Sequence, residues 1–303
     1  MDFPKISIIT PSFNQGIYLE QTILSVLDQD YPNLEYIIID GGSTDHSVEI
    51  IKKYEQRLTF WVTEKDRGQA HAINKGLKHC TGAIFNWINS DDYLADDAVS
   101  KVAEAFKRSA DTDIVAGEVI DFNENGILKK VKNQKLEINE YLKKEVELIY
   151  HQPAVWLRMD HIKEVGFFDE QLHFCFDQEY MMRYLMKYSK VCYVDQVLAH
   201  FRIHENSKSV SLAEKFAWDF RQMYKNFWLL QQDGLIKQKA KRKYLEYEWP
   251  LLNGSINKAE RSRFTNFSKA VKVILQDPAH RINKDSIGWL KHILLGAKNH
   301  SVK

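Results

Sequence analysis

Cysteine and proline are scarce in this sequence, with three and six copies among 303 residues. Cys80, Cys175 and Cys192 are odd in number and lack metal-ligand spacing, a pattern typical of thiols in a reducing compartment. No apolar run reaches bilayer-spanning length, and no signal peptide precedes the first predicted strand. These absences argue against disulfide-rich and membrane-spanning folds and predict a cytoplasmic protein.

A strong overall charge is also lacking, since the formal net charge is +1, but the charges are unevenly distributed. Residues 236–303 contain 15 Lys and Arg against 5 Asp and Glu, whereas the rest of the chain contains 27 against 36. A basic tail indicates an anionic partner. No nucleic-acid recognition motif accompanies it, and its interleaved Trp and Leu residues fit a membrane surface at least as well. We therefore expect no nucleic-acid partner.

Strand and helix patterns alternate through the first part of the chain. Apolar runs typical of buried strands lie at 6–9, 36–39, 58–62, 83–88 and 113–116. Helical spacing separates them, at 18–27, 48–54, 69–79 and 97–108. This alternation predicts an α/β fold with a mostly parallel sheet covered by helices on both faces.

The later part of the chain has a different pattern. Residues 119–131 predict a hairpin that turns at Glu124-Asn125-Gly126. A helix is predicted at 176–188 and a strand at 197–203, and from Ser211 onward the pattern is almost wholly helical.

Asn89-Ser90-Asp91-Asp92 is the most informative stretch, because it directly follows the apolar run 83–88. Two adjacent carboxylates at the end of a buried strand are costly to leave unpaired. A divalent cation that also binds phosphate oxygens would remove that cost. The alternative is a turn in which one Asp caps the next helix. Two other predicted strands are followed by polar or Gly-rich segments, Thr10-Pro11-Ser12 and Asp40-Gly41-Gly42. Ligands of parallel α/β sheets bind beyond the carboxyl ends of such strands.

Seven separated motifs together resemble the family 2 glycosyltransferases, which are inverting enzymes of the GT-A fold that use nucleotide-sugar donors. The matching motifs are Ile8–Asn14 (IITPSFN), Ile39–Asp45 (IDGGSTD), Asp66–Gly76 (DRGQAHAINKG), Trp87–Asp92 (WINSDD), Gly166–Leu172 (GFFDEQL), Phe176–Arg183 (FDQEYMMR) and Phe201–Ser209 (FRIHENSKS). The resemblance runs from about Lys5 to Ser209. It implies a GT-A type, mostly parallel, Rossmann-like sheet with helices on both faces, followed by a helical C-terminal region.

The domains expected from this resemblance are a catalytic domain at 1–210 and a helical, basic region at 211–303. Within the catalytic domain, residues 1–117 would form the nucleotide-sugar-binding half. Residues 118–210 would form the acceptor and catalytic half.

The resemblance implies that the nucleotide pocket is lined by the end of the first strand and by residues of the next loops. These residues are Pro11, Ser12, Phe13, Asn14, Asp40, Asp66, Gly68 and Asn74. Asp40 would accept a hydrogen bond from the base, although a strand-end turn would explain it equally well. Many relatives have a second Asp where this chain has Gly41, which leaves the base open, with a UDP-sugar as the first expectation.

The resemblance also assigns a metal site and a catalytic base. Asp92 is the first choice for the ligand of Mn²⁺ or Mg²⁺, with Asp91 on the metal or the ribose. His204 would add a ligand or touch the diphosphate, unless it is an ordinary loop histidine. Asp177 would be the base that deprotonates the acceptor hydroxyl, with Glu179 as its rival and a helix cap as the alternative.

On the acceptor or donor-sugar side, the resemblance leads us to expect His151, Gln152 and Trp156, although Trp156 would serve equally well in the core.

The predicted function is transfer of a sugar to an acceptor hydroxyl in surface polysaccharide or glycolipid synthesis. The alternatives are a non-catalytic nucleotide-sugar-binding protein and a nucleotidyltransferase. The latter is disfavoured because Thr10–Gly16 contains no Lys or Arg.

The partners expected are a sugar or a lipid-linked acceptor, with oligomerisation left open. The segment Ser286–Lys298 has the pattern of a basic amphipathic helix. It would either bind the inner face of the membrane peripherally or pack on the catalytic domain or another subunit.

Overall fold

The structure of the protein is a computed structural model. It describes residues 3–143, 150–205, 207, 213–257 and 263–276, together with positions 287, 290, 291 and 293. The chain divides into two compact units, one formed by residues 1–141 and 145–212 and the other by residues 142–144 and 213–303.

One sheet organises the first unit. Its strands are β1 (Ile6–Ser12), β2 (Leu34–Asp40), β3 (Phe60–Thr63), β4 (Ile84–Trp87), β5 (Tyr93–Leu94), β6 (Ile114–Asn123), β7 (Gly126–Lys132), β8 (Val155–Arg158) and β9 (Val191–Arg202). The strand order is β3-β2-β1-β4-β8-β6-β9-β5, and β7 pairs with β6. Strands β1 to β4 are mutually parallel, β6 is parallel to β9, and β5, β7 and β8 run in the opposite direction. The predicted mostly parallel sheet is thereby confirmed.

The helices described in this unit are α1 (Gly16–Leu27), α2 (Ser47–Tyr54), α3 (Gln69–Leu77), α4 (Ala98–Arg108), α5 (Ile138–Tyr141), α6 (Met159–Val165) and α7 (Phe176–Leu185). Helices α1 to α4 lie where the alternation predicted helices, and α7 lies within the helix predicted at 176–188, whereas α6 was not predicted. The strand β1 is buried over its whole length, and β2 is buried except at its first residue. In α3, Gly76 allows close packing on β1, because a Cβ there would lie 2.7 Å from Cδ1 of Ile9.

The second half of the sheet contains elements that the sequence patterns did not predict. Strand β6 is ten residues long and continues past the short run predicted at 113–116. It therefore runs through positions 117 and 118, where the two halves of the catalytic domain were expected to meet. The short strands β5 and β8 were not predicted. Trp156 lies in β8 with no exposed surface, so it belongs to the core and not to a sugar-binding face. The hairpin predicted at 119–131 is present as the β6–β7 pair.

The second unit is helical in its described residues. It contains α8 (Ala213–Leu230), α9 (Gly234–Asn257) and α10 (Arg263–Gln276). Aromatic rings pack between α8 and α9, with centroids 5.2 Å apart for Phe220 and Tyr247 and 5.6 Å apart for Trp228 and Tyr244. The predicted amphipathic segment Ser286–Lys298 is described at positions 287, 290, 291 and 293. There Ile293 is buried in a cluster with Leu245 and Ala270, and Leu290 packs against the same cluster. None of the helices in the described ranges combines the length and apolar character needed to cross a bilayer.

Candidate active site

The carboxyl ends of three neighbouring strands place the predicted motifs side by side. Ser12 at the end of β1 is in register with Asp40 at the end of β2, and Gly41 N donates to Ser12 O over 2.8 Å. On the other side, Ile9 of β1 is in register with Trp87 of β4. The parallel pairing therefore brings the segments after β1, β2 and β4 to one edge of the sheet.

Asp91 and His204 form a close pair at this edge. His204 Nε2 lies 3.0 Å from Asp91 Oδ2, and the two side chains are 12% and 19% exposed. The other ring nitrogen, Nδ1 of His204, is buried without a hydrogen-bond partner in the described protein. The His204 ring also packs against Tyr18, with centroids 4.9 Å apart. Asp91 therefore presents a partly accessible carboxylate beside an imidazole.

Asp92 is held differently, because its carboxylate is buried and both of its oxygens accept protein hydrogen bonds. Arg202 N donates to Oδ1 over 3.0 Å, and Asn89 Nδ2 donates to Oδ2 over 3.1 Å. Burial, and then the neighbouring charge of Asp91, raise the pKa of Asp92 well above its usual range. Asp92 was the first choice for metal ligand, but this geometry favours Asp91 and gives Asp92 the role of fixing the loop.

Arg202 was not predicted as a site residue, yet it organises this loop. Its guanidinium lies 4.5 Å from the ring centroids of both Tyr18 and Phe122. From there Nε donates to Asp91 O over 3.0 Å, and a terminal nitrogen donates to Gln21 Oε1 over 2.5 Å. Its position in the motif FRIHENSKS was the available signal, but its partners come from distant elements.

The chemistry of this pair fits a divalent cation. Among the described residues, no three His, Cys, Asp or Glu side chains cluster as a complete metal site. Mg²⁺ commonly uses only one or two carboxylates and completes its shell with phosphate oxygens and water, and Mn²⁺ accepts similar oxygen ligands. One carboxylate and one imidazole would thus suffice if a diphosphate supplied further ligands.

Asp40 is fully engaged by the turn that follows β2. Its Oδ2 accepts from Gly42 N, Ser43 N and Thr63 Oγ1 at 3.1, 2.9 and 2.6 Å, and its Oδ1 accepts from Ser43 Oγ at 2.5 Å. The residue has no exposed surface. Since a carboxylate has about four acceptor sites, this geometry favours the strand-end turn over direct recognition of a base.

The Asp66 carboxylate lies close against Gly41, the residue that follows β2. A Cβ on Gly41 would lie 2.6 Å from Asp66 Oδ2, closer than real contacts. The other oxygen, Oδ1, accepts from Gly68 N over 2.8 Å. Gly68 directly precedes α3 and has a φ of +117°. This backbone conformation favours glycine.

The last residues of β1 and the two residues after it form the adjoining wall. Pro11 and Ser12 are buried, whereas the ring of Phe13 is 59% exposed. Ser12 Oγ is buried without a hydrogen-bond partner in the described protein. Asn14 has a φ of +51°, and its Oδ1 accepts from Thr44 N over 2.8 Å, which ties this wall to the loop after β2.

Asn74 is buried in α3 and is committed to holding a loop. Its Oδ1 accepts from Phe168 N over 2.9 Å, and its Nδ2 donates to Phe168 O and Glu170 Oε1, both at 3.0 Å. The predicted contact of Asn74 with the nucleotide-sugar is therefore not favoured by the geometry, which uses the amide to anchor the segment before α7.

Asp177 and Glu179 lie in the first turn of α7 but in different environments. Glu179 is bound by Arg183 through two hydrogen bonds of 2.7 and 2.8 Å. Arg183 also donates to Val165 O and Phe167 O, so this ion pair braces the preceding loop. Asp177 is half-buried near Tyr150, where burial, and then the charge of Asp177, raise the pKa of the Tyr150 phenol.

His151 and Gln152 support the sheet from within. His151 is 6% exposed, and its Nε2 lies 2.7 Å from Oδ1 of the buried Asp121 on β6. Gln152 Nε2 donates to Asn86 Oδ1 over 3.0 Å and to Trp87 O over 2.7 Å. Gln152 thus supports β4 just before the Asp91 loop, and the burial of His151, Gln152 and Trp156 does not favour direct sugar contact.

Comparison with known proteins identifies the family. Residues 7–186, more than half of the chain, match the sequence model of glycosyl transferase family 2. The chain belongs to this family. A poly-beta-1,6-N-acetyl-D-glucosamine synthase of Staphylococcus epidermidis is 32% identical over 129 residues, which are 42% of this chain and 31% of that protein. The chain spans between 41% and 65% of the length of the first curated relatives that it matches.

Solved structures of similar proteins show the same fold. Staphylococcus aureus TarS 1–349 in complex with UDP-GlcNAc has a TM-score of 0.62 at 20% identity, over 95% of this chain and 81% of that one. The mannosyltransferase PcManGT of Pyrobaculum calidifontis, in complex with GDP-Man and Mn²⁺, has a TM-score of 0.61 at 17% identity, over 97% and 85%. The GT-A type fold predicted from the sequence is thus confirmed.

Proposed function

We propose that the protein is an inverting glycosyltransferase that moves a sugar from a nucleotide-diphosphate sugar to an acceptor hydroxyl. The observation that carries the proposal is the Asp91–His204 pair in the loop after β4, at the edge of the sheet where β1 and β2 also end. Such a site combines an oxygen and nitrogen donor set for Mn²⁺ or Mg²⁺ with the carboxyl ends of parallel strands, where ligands of α/β sheets bind.

Asp177 is proposed as the general base. Its carboxylate would take the proton from the acceptor hydroxyl, whose oxygen then bonds to the anomeric carbon as the bond to the diphosphate breaks. Glu179 is a poorer candidate, because two hydrogen bonds from Arg183 already engage its oxygens. A cation held by Asp91 and His204 would supply charge stabilisation for the leaving diphosphate. Asp92 and Arg202 would keep the Asp91 loop in place.

The donor class is proposed from the pocket and from the neighbours. TarS binds UDP-GlcNAc and PcManGT binds GDP-Man. Asp66 offers an oxygen beside Gly41, and a carboxylate accepts from a base N–H, such as the imide of uracil. We retain a UDP-sugar as the first donor to test and a GDP-sugar as the second.

The acceptor is proposed to be a sugar or a lipid-linked intermediate in surface polysaccharide or glycolipid synthesis. One relative is a poly-beta-1,6-N-acetyl-D-glucosamine synthase, and the basic C-terminal region suits an anionic membrane surface. The proposed location is the cytoplasm, with peripheral association at the inner face of the membrane.

A panel of radiolabelled UDP- and GDP-sugars tests the function with the intact protein. We expect donor hydrolysis with one nucleotide class in Mn²⁺ or Mg²⁺, and its loss in excess chelator. The anomeric configuration of a transferred sugar, determined by NMR, should be opposite to that of the donor. Nucleotide-sugar binding without any turnover would identify a non-catalytic binding protein instead, and full turnover in chelator would refute the metal role.

A further inference from the structure

A second concave site lies on the first unit between α1, β5 and β9. This groove, here called the α1–β9 groove, has a volume of about 1000 Å³, which is large enough for several sugar units. Its lining includes polar and aromatic side chains from all three elements and the loop after β5, namely Gln21, Tyr93, Asp96, Gln196 and His200. None of them has a role in the active site described above, apart from the contact between Gln21 and Arg202.

An aromatic platform forms part of the groove wall. Tyr93 and His200 are in register across the β5–β9 pair, and their rings stack with centroids 4.3 Å apart and an interplanar angle of 11°. Phe122 meets the Tyr93 ring edge-on at 5.2 Å. Flat ring surfaces of this kind suit the C–H faces of pyranose rings.

Polar groups surround this platform, and several have no protein hydrogen bond in the described part of the chain. Nδ1 of His200 is buried without a partner. Asp96 and Gln196 are exposed at the groove, and no protein group hydrogen-bonds to either side chain among the described residues. A buried polar atom without a partner calls for an explanation, and planar amide and carboxylate groups are suited to bind hydroxyls.

The charge of the groove favours no ionic ligand. Glu20 and Asp28, which line it, are already paired with Lys53 and Arg57, and the lining otherwise contains one carboxylate, that of Asp96, and one ammonium group, that of Lys101. No metal-binding cluster occurs within the described residues. A neutral, polyhydroxylated molecule satisfies both the platform and the polar rim.

We propose that the α1–β9 groove binds sugar units of the acceptor glycan, away from the reacting hydroxyl. This inference rests on the proposed glycosyltransferase function. The groove adjoins the catalytic loop, since Gln21 accepts from Arg202, which in turn donates to the Asp91 carbonyl. Glycan in the groove would hold the acceptor near the site between transfers.

Binding of neutral tetrasaccharides to the intact protein tests the proposal. The probes are tetramers of N-acetylglucosamine, glucose, galactose and mannose, measured by saturation-transfer NMR and calorimetry. Gln196→Trp should fill the groove and weaken binding of the bound tetramer about tenfold, the loss expected when one hydrogen bond and part of the contact surface are removed. Asp96→Ala should weaken it in the same direction.

Asp195→Trp is the matched control, because Asp195 precedes Gln196 on β9, is 90% exposed and does not line the groove. Its affinity should equal that of the unmodified protein. Donor hydrolysis without acceptor should be unchanged in all three variants. If no tetramer binds, or if Gln196→Trp binds it as well as the control does, the groove proposal is overturned. Absence of donor hydrolysis in the unmodified protein would instead refute the proposed function.

Discussion

At the scale of single residues, adjacent carboxylates in one motif have different surroundings. Asp91 is partly exposed and faces His204, whereas Asp92 is buried and accepts one protein hydrogen bond on each oxygen. In α7, Arg183 engages Glu179 through two hydrogen bonds. Such a carboxylate must break protein hydrogen bonds before it can bind anything else.

Asp91→Asn and Asp92→Asn should therefore affect the protein differently. Asp91→Asn should lower metal-dependent donor hydrolysis by about 100-fold or more while leaving stability nearly unchanged. Asp92→Asn should lower the free energy of unfolding by at most about 1–3 kcal/mol, because one of its two buried hydrogen bonds loses its acceptor while the repulsion by the neighbouring Asp91 carboxylate is relieved. Donor hydrolysis and urea unfolding of both variants distinguish the roles. Equal metal affinity in Asp91→Asn and the unmodified protein would contradict our preference for Asp91 over Asp92 as the metal ligand.

Asp177→Asn should retain nucleotide binding but lose transfer by roughly 10²–10⁴-fold, the usual contribution of a general base. Glu179→Gln is the matched comparison. It should mainly weaken the hydrogen bonds between Arg183 and residue 179 and should retain most of the sugar-transfer rate. Single-turnover assays with saturating donor measure both. A dead Glu179→Gln beside an active Asp177→Asn would show that Glu179 is the base.

At the scale of elements, the amino ends of the strands are tied together by Glu35, opposite the site. Its carboxylate accepts from Ser7 Oγ on β1, from Thr81 N at 2.7 Å and from Thr81 Oγ1 at 2.8 Å, and it pairs with Lys5 at 2.8 Å. Burial alone would raise the pKa of Glu35, but the hydrogen bonds from Lys5, Ser7 and Thr81 outweigh it and lower the pKa to about 2.

The pH dependence of stability follows from this shift. Because the folded pKa of Glu35 is depressed, its stabilisation is fully present above the unfolded value of 4.5 and is lost as the pH falls toward 2. Glu35→Gln should lower the free energy of unfolding at pH 7 by roughly 2–3 kcal/mol, with the deficit shrinking below pH 4.5. Urea unfolding across this pH range measures it. Glu49→Gln, exposed on α2, should show no such pattern, and a deficit independent of pH would contradict the argument.

At the scale of the whole molecule, the uneven charge predicts where the protein acts. The excess of Lys and Arg after residue 236 lies in a chain whose remainder is acidic. Attraction of such a segment to anionic lipid headgroups is electrostatic and is weakened by salt.

Flotation of the intact protein with liposomes checks this expectation. We expect it to float with anionic vesicles at low salt, to release at about 0.5 M salt because the Debye length shortens, and to ignore neutral vesicles. Replacing Lys291 and Lys298 together by Gln should reduce flotation. If the protein ignores anionic vesicles at low salt, the C-terminal region packs on protein instead.

The sequence by itself determined the strand–helix alternation and the motifs that follow β1, β2 and β4. These follow from local periodicity and from residue order, because parallel strands necessarily deliver their carboxyl ends to one edge. The candidate base Asp177 came instead from the resemblance to the family. The short strands β5 and β8 escaped prediction, since two to four residues carry too little periodicity to distinguish a strand from a loop.

Only the tertiary structure decided which polar side chains remain available. His204 reaches Asp91 across 113 residues of chain, Asn74 reaches the Glu170 loop across 96, and Gln152 reaches Asn86 across 66. A motif records that a carboxylate or amide is present, but burial and hydrogen-bond saturation are set by such distant partners. For the same physical reason, the α1–β9 groove has no signature in the sequence, because its wall is assembled from α1, β5 and β9 only when they pack together.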